Sequence, residues 1–248
     1  MIIDSHVHLK HGNAARTEYS PETIVETMDA AGIAKAVVFA MSTSTRRSIE
    51  MAREAVQKFP EQLIPYAYAL PSYERPVLKE LEQAVRKHSF RGFKLHIGEC
   101  TLAEYVTFPV IKLAGELGVP CLIDCGGRHD VIEQMAAECP ASMIIVAHLG
   151  RYLCKDEALM DRFIGIAEAH ENVFLDASGV VLPDKIREAV RRVGARRVLF
   201  GTDGPDMKPD TATFARAEIE KIRTLKLSAE DERSVLGGSI AHLLGVGG

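Results

Sequence analysis

What the chain lacks narrows its class before any motif is read. Its five cysteines are odd in number and scattered, with no C-x-x-C pair. That usage does not make a disulfide scaffold and fits a reduced, cytoplasmic compartment. Charge of one sign is also missing: 30 Lys and Arg face 34 Asp and Glu, for a formal net charge of −4. Such a balance creates no field that would draw the chain to nucleic acid or to an anionic membrane surface. No apolar run approaches the ~18 residues of a transmembrane helix. The N-terminus lacks a basic region followed by an apolar one, so no signal peptide is expected. No Gly-x-Gly-x-x-Gly follows the first strand-like run, which argues against a dinucleotide fold. No linker, repeat or low-complexity stretch interrupts the chain. The expectation is a single cytoplasmic domain over residues 1–248.

What is present is an alternation. Short apolar runs rich in Val, Ile, Leu and Phe occur at Ile2–Val7, Ala36–Ala40, Leu63–Ala69, Gly92–Ile97, Pro120–Asp124, Met143–His148, Val173–Asp176 and Val198–Gly201. Runs of this kind are strands buried on both faces. Amphipathic stretches separate them: Glu22–Ala31, Thr45–Lys58, Arg75–Lys87, Glu104–Leu117, Asp130–Glu138, Glu157–His170, Asp184–Val193 and Thr211–Leu225. Eight strands alternating with eight helices predict an α/β protein, a single (β/α)8 TIM barrel; an open doubly wound sheet usually has fewer strands. Ala229–Leu244 reads as one or two short helices closing the outside.

Chemistry in such barrels sits where strands end at their C-terminal side. Strand one carries Asp4, His6 and His8, spaced by two and so expected to project together. Two neutral imidazoles on one strand end make half of a metal site. Strand four ends with Lys94 and His96, and strand five with Asp124 or Cys125. Strands six, seven and eight end with His148, Asp176 and Asp203. Asp124 is expected to face inward, with Cys121 and Cys125 under the helices. Lys94 is a candidate partner for Asp124 or Asp176, and Asp176 reads as structural. His11, His88, His129, His170 and His242 read as loop or helix-surface residues. Arg128 and Arg151 fall on loops over the barrel mouth, where either could hold a substrate carboxylate by its planar fork.

In this order, Asp4-x-His6-x-His8, Gly92-Phe93-Lys94-Leu95-His96, Ala147-His148-Leu149-Gly150 and Phe200-Gly201-Thr202-Asp203-x-Pro205 resemble the amidohydrolase superfamily, and more narrowly its amidohydrolase-2 family. The resemblance spans nearly the whole chain, including a closing motif with Ser239 where Asn is usual. It implies one divalent metal ion, zinc first and manganese or magnesium as alternatives. His6, His8 and Asp203 match the ligand positions, and Asp203 also matches the base. His148 matches the histidine that polarises substrate or shuttles a proton. Asp124 stands where the family has a ligand histidine; a carboxylate there favours harder metals somewhat more. The implied activity is hydrolysis of a small cyclic ester or amide, carboxylated where an arginine meets it, by metal-activated water. In that mechanism Asp203, His148 and Lys94 are catalytic, and His96, Arg128 and Arg151 bind substrate. A non-oxidative decarboxylase and a metal-independent lactonase are the rival readings, with a non-catalytic binding barrel behind them. The expected partner is a small-molecule substrate, with a homodimer as the default assembly.

Overall fold

The computed structural model describes residues 1–246, so the last two residues of the expected domain lie outside the description. The strands are β1 (Ile3–Lys10), β2 (Lys35–Ala40), β3 (Leu63–Pro65), β4 (Ala67–Tyr68), β5 (Phe93–His96), β6 (Cys121–Asp124), β7 (Ile144–Val146), β8 (Val173–Asp176) and β9 (Val198–Leu199). All pairings are parallel, in the orders β1-β2-β3 and β4-β5-β6-β7-β8-β9. β3 and β4 are two halves of one barrel position separated by Tyr66. Its N–H still donates to Val38 O, and Ala67 N–H donates to Gly92 O. Closure comes from the chain's two ends. Ser5 N–H donates to Phe200 O (3.0 Å), Asp203 N–H to His6 O (2.9 Å) and His8 N–H to Gly204 O (2.7 Å), around a parallel bridge between Val7 and Gly204. The result is the expected (β/α)8 barrel.

The helices are α1 (Pro21–Ala31), α2 (Thr45–Lys58), α3 (Leu78–His88), α4 (Glu104–Leu117), α5 (His129–Glu138), α6 (Glu157–Ala169), α7 (Pro183–Val193) and α8 (Thr211–Arg223), with short α9 (Ala229–Arg233) and α10 (Ser239–Leu244) after them. Their ends follow local chemistry. Ser20 accepts from Thr23 N–H ahead of Pro21, and Ser44, Asp156 and Asp210 cap α2, α6 and α8 in the same way. α3 begins three residues later than the periodicity suggests, because Pro76 disfavours helical conformation at Arg75. No described helix is long and apolar enough to cross a membrane.

Strand alternation divides the core. Val38, Phe93, Ile123 and Val146 face the helices, whereas Val37, Phe39, Leu122 and Ile145 fill the barrel. The inward row continues upward into Lys94, His96 and Asp124, which line the mouth. Cys121 and Cys125 are buried among the helix-facing residues, as their parity with Ile123 requires.

Two expectations change here. The pairing of β1 with β2 shifts register between Asp4 and Val7, so Asp4 does not project with His6 and His8. It turns toward the helices and borders a small void with Val7, Ile24 and Phe214. There it accepts hydrogen bonds from His6 N–H, Thr202 N–H and Thr202 Oγ1. The strand expected over Met143–His148, β7, also stops earlier, at Val146. Ala147–Gly150 is a tight turn in which His148 has φ 60° and Leu149 has φ 47°. A side chain with a Cβ pays for left-handed backbone with roughly 1–2 kcal/mol, so the surrounding packing holds His148 in place.

Gly150 is part of that packing. Its φ is +109°, and a Cβ would come 2.0 Å from the Phe163 ring. Gly150→Ala is expected to lower unfolding free energy by about 2–4 kcal/mol, combining backbone strain with overpacking, as read from the urea midpoint.

Candidate active site at the barrel mouth

A cavity of about 240 Å³ opens at the C-terminal ends of the strands, lined among others by His8, Lys94, His96, Asp124, His148 and Asp203. These side chains come from five barrel positions and meet only because the barrel is closed.

One wall is built on β1. His6 is fully buried. Its Nδ1 lies 3.0 Å from Asp176 Oδ2, and its Nε2 lies 3.0 Å from both Asp203 Oδ1 and Lys94 Nζ. His8 Nε2 is 2.8 Å from the same Asp203 oxygen. Burial pushes His8 down to about 3, against the pull of Asp203, so at neutral pH the ring carries no charge. Burial favours the neutral form of Asp203, but His6, His148 and His8 outweigh it and hold the carboxyl well below its ordinary range. Asp203 itself sits at φ 60°, which turns its side chain back over β1.

The opposite wall centres on Asp124. Its Oδ2 is 3.1 Å from His96 Nε2 and 3.6 Å from His148 Nε2, while Oδ1 accepts from Gly126 N–H. Burial again opposes the charge, and His148, His96 and Lys94 overcome it, so Asp124 is ionised well below the usual carboxylate range. For His148, burial disfavours protonation, but Asp124, Asp203 and Asp176 together raise it. Lys94 lies between the walls. Burial lowers it, opposed by Asp124, Asp203 and Asp176. Its direct partner is His6 rather than the Asp124 or Asp176 expected from sequence.

The donor set on the β1 wall fits a divalent cation. With Nδ1–H of His6 donating to Asp176, its Nε2 offers a lone pair. The Nε2 atoms of His6 and His8 and Asp203 Oδ1 then converge as three acceptors. Acceptors held this close repel unless they share a proton or a cation. Two imidazoles and one carboxylate, one imidazole oriented by an outer carboxylate, are a common ligand chemistry for zinc or manganese. Asp124 is not brought into that trio; His96 and His148 engage its inward oxygen.

Neither arginine reaches the cavity. Arg128 forks onto Asp130 (2.9 and 2.7 Å) at the surface, and Arg151 is exposed outside the cavity lining. Conversely, His11 is no mere loop residue. Its ring stacks on His8 with centroids 4.4 Å apart, and its Nε2 bonds Pro205 O while the ring lines the cavity. Met41 and Tyr152 complete the wall. The position of His11, just beyond the end of β1, was the one available sequence signal. Met41 and Tyr152 offered none.

Neutral His8 has a stability consequence. Its folded value near 3 lies below the ordinary 6.5, so between these values the unfolded chain binds a proton that the folded chain does not. Stability therefore rises with pH across that window and falls on acidification, by up to ~1.4 kcal/mol per pH unit. His8→Asn is expected to flatten the slope between about pH 6.5 and 4, as measured by urea unfolding of metal-free protein.

The family model described as Amidohydrolase, of the amidohydrolase-2 type, matches residues 3–246. No curated protein matches. Among solved structures, an amidohydrolase from Burkholderia multivorans with bound zinc shares 16% identity over 100% of both chains, with a TM-score of 0.80. A 4-oxalomesaconate hydratase from Rhodopseudomonas palustris shares 18% identity, covering 99% of this chain and 96% of that one, with a TM-score of 0.70. A dihydroxybenzoic acid decarboxylase from Polaromonas with bound manganese shares 18% over 98% and 96%, with a TM-score of 0.69. At these identities the likeness speaks for the fold.

Proposed function

Since this chain belongs to the amidohydrolase family, we propose that it is a metal-dependent hydrolase of a small cyclic ester or amide. The observation that carries this reading is the convergence of the His6, His8 and Asp203 ligand atoms at one edge of a cavity whose far edge is Asp124, His96 and His148. His6, His8 and Asp203 would hold the ion, which when bound supplies Lewis acidity to water and to a substrate carbonyl. Zinc suits the two imidazoles, with manganese or magnesium as alternatives.

The chain's own residues supply the rest. Asp203 is ionised and projects into the cavity, so it can take a proton from water placed beside it. Lys94 Nζ and His148 Nε2 approach from the other side and can stabilise negative charge developing on a carbonyl oxygen. His96, anchored by Asp124, orients the substrate. Arg128 and Arg151 drop out of the substrate-binding set, and Asp124 changes from ligand to anchor. No arginine lines the cavity, which favours a neutral ester or amide over a carboxylate that needs a bidentate clamp.

Protein purified without chelator is expected to carry close to one divalent ion per chain, and the His6→Ala/His8→Ala double variant to lose it, by elemental analysis. Full metal content in the double variant would overturn the ligand assignment. Asp203→Asn is expected to reduce kcat/KM by about 10²–10⁴ against a panel of lactones and cyclic amides. Turnover in ¹⁸O-labelled water separates the reactions: label in the product carboxylate supports hydrolysis, whereas carbon dioxide release with no label in the organic product assigns decarboxylation. Full activity after exhaustive chelation would instead support a metal-independent lactonase.

A further inference from the structure

The loop after β8 carries a side chain that none of these roles uses. Ser178 is completely buried. Its Oγ lies 3.0 Å from His148 Nδ1 and 3.2 Å from His6 Nδ1, and it donates to Asp176 Oδ2. Its carbonyl oxygen is 2.9 Å from the same His148 Nδ1, and its N–H donates to Asp176 Oδ1. His6, His148 and Asp176 are themselves a second trio whose ligand atoms could reach one ion. The Ser178 oxygen stands among all three, so that space is already filled by a hydroxyl.

The hydrogen-bond inventory leaves one consistent assignment. A hydroxyl has one proton to give, and here it goes to Asp176. Its lone pairs, with the Ser178 carbonyl, then accept from His148 Nδ1–H, while Asp176 accepts from His6 Nδ1–H. In their neutral forms both rings carry the proton on Nδ1 and leave Nε2 toward the cavity; a second proton on His148, which Asp124 favours, occupies Nε2. The two rings stack with centroids 5.1 Å apart, so turning one disturbs the other. The loop has little room to relax. At Gly179, φ is +61° and a Cβ would come 2.4 Å from the Tyr152 ring.

We propose that Ser178 is a positioning residue: with Asp176 it fixes His6 and His148 in the Nδ1–H form and aims both Nε2 atoms at the cavity. The metal consequence rests on the reading of His6 as a ligand; the proton placement does not. Without the hydroxyl, Asp176 keeps the Ser178 N–H, the long bond from His148 N–H (3.4 Å) and the His6 ring as donors and is freer to rotate. The Nε2–H form of His6 then gains population, and that form cannot ligate.

The test uses Ser178→Ala and Ser178→Thr, the latter keeping the hydroxyl, with Ser178→Cys as a size-matched poor donor should Ala not fold. ¹⁵N-histidine spectra of metal-free protein at alkaline pH are expected to show protonated Nδ1 and bare Nε2 for His6 and His148 in the parent and Thr proteins. In the Ala or Cys protein they are expected to show a mixture. Zinc affinity, by competition with a chromophoric chelator, is expected to fall about 10–100-fold in Ala or Cys and to be restored in Thr. A purely structural role would shift the unfolding midpoint and leave the tautomer signature intact. A folded Ala or Cys variant with the parent's tautomers and zinc affinity would overturn the proposal. If the parent binds no zinc, the ligand reading fails, while the ¹⁵N spectra still decide the role of Ser178.

Discussion

The structure depends above all on the hydrogen bonds that join β1 to residues 200–204. They close the barrel, and they also hold Asp203 beside His6 and His8. Asp203 N–H is bound to His6 O while its carboxylate meets both imidazoles, so the backbone contact that shuts the sheet is also the one that builds the site. The shift in β1 register serves the same junction. It sends Asp4 outward to hold Thr202, one residue before Asp203. Asp4 is thus a fastener behind the site, and burial, outweighing its hydrogen bonds from Thr202 and His6, pushes it up to about 7.

Around this junction lies a buried arrangement of opposed charges. Asp124, Asp176 and Asp203 surround Lys94, with imidazoles interposed. Ions taken out of water are tolerated only when they are paired and hydrogen-bonded. Every carboxylate here meets at least one histidine, and Lys94 meets His6. The arrangement favours cation binding at the point where the His6, His8 and Asp203 acceptors converge. It also splits the cavity into two walls of different chemistry. One wall presents acceptors to a cation, and the other presents a histidine pair held by Asp124. Asp124 makes that second wall possible, because its carboxylate accepts from both His96 and His148.

Much of this was legible in the residues. Alternating apolar runs and capped amphipathic stretches predicted the barrel, because strand and helix periods and capping preferences act locally. That His6, His8, Lys94, Asp124, His148 and Asp203 gather at the barrel mouth was legible because polar groups at the ends of buried strands have nowhere else to go. The failures share a cause. A bulge changes which residues share a face, so Asp4 could not be separated from His6 and His8 by counting. Arg128 found a partner two residues away, and a planar fork near the mouth reads the same in sequence whether or not it is already paired.

The order of strands and helices and the identity of the ionisable groups at strand ends were set by the sequence alone, since both follow from local pattern. The tertiary structure decided which of those groups meet. Asp124 faces His96 and His148 rather than joining His6 and His8, Lys94 bonds His6, and Ser178 occupies the gap between two rings. These outcomes depend on distances between strands far apart in the chain and on backbone turns at His148 and Asp203 that no local preference specifies.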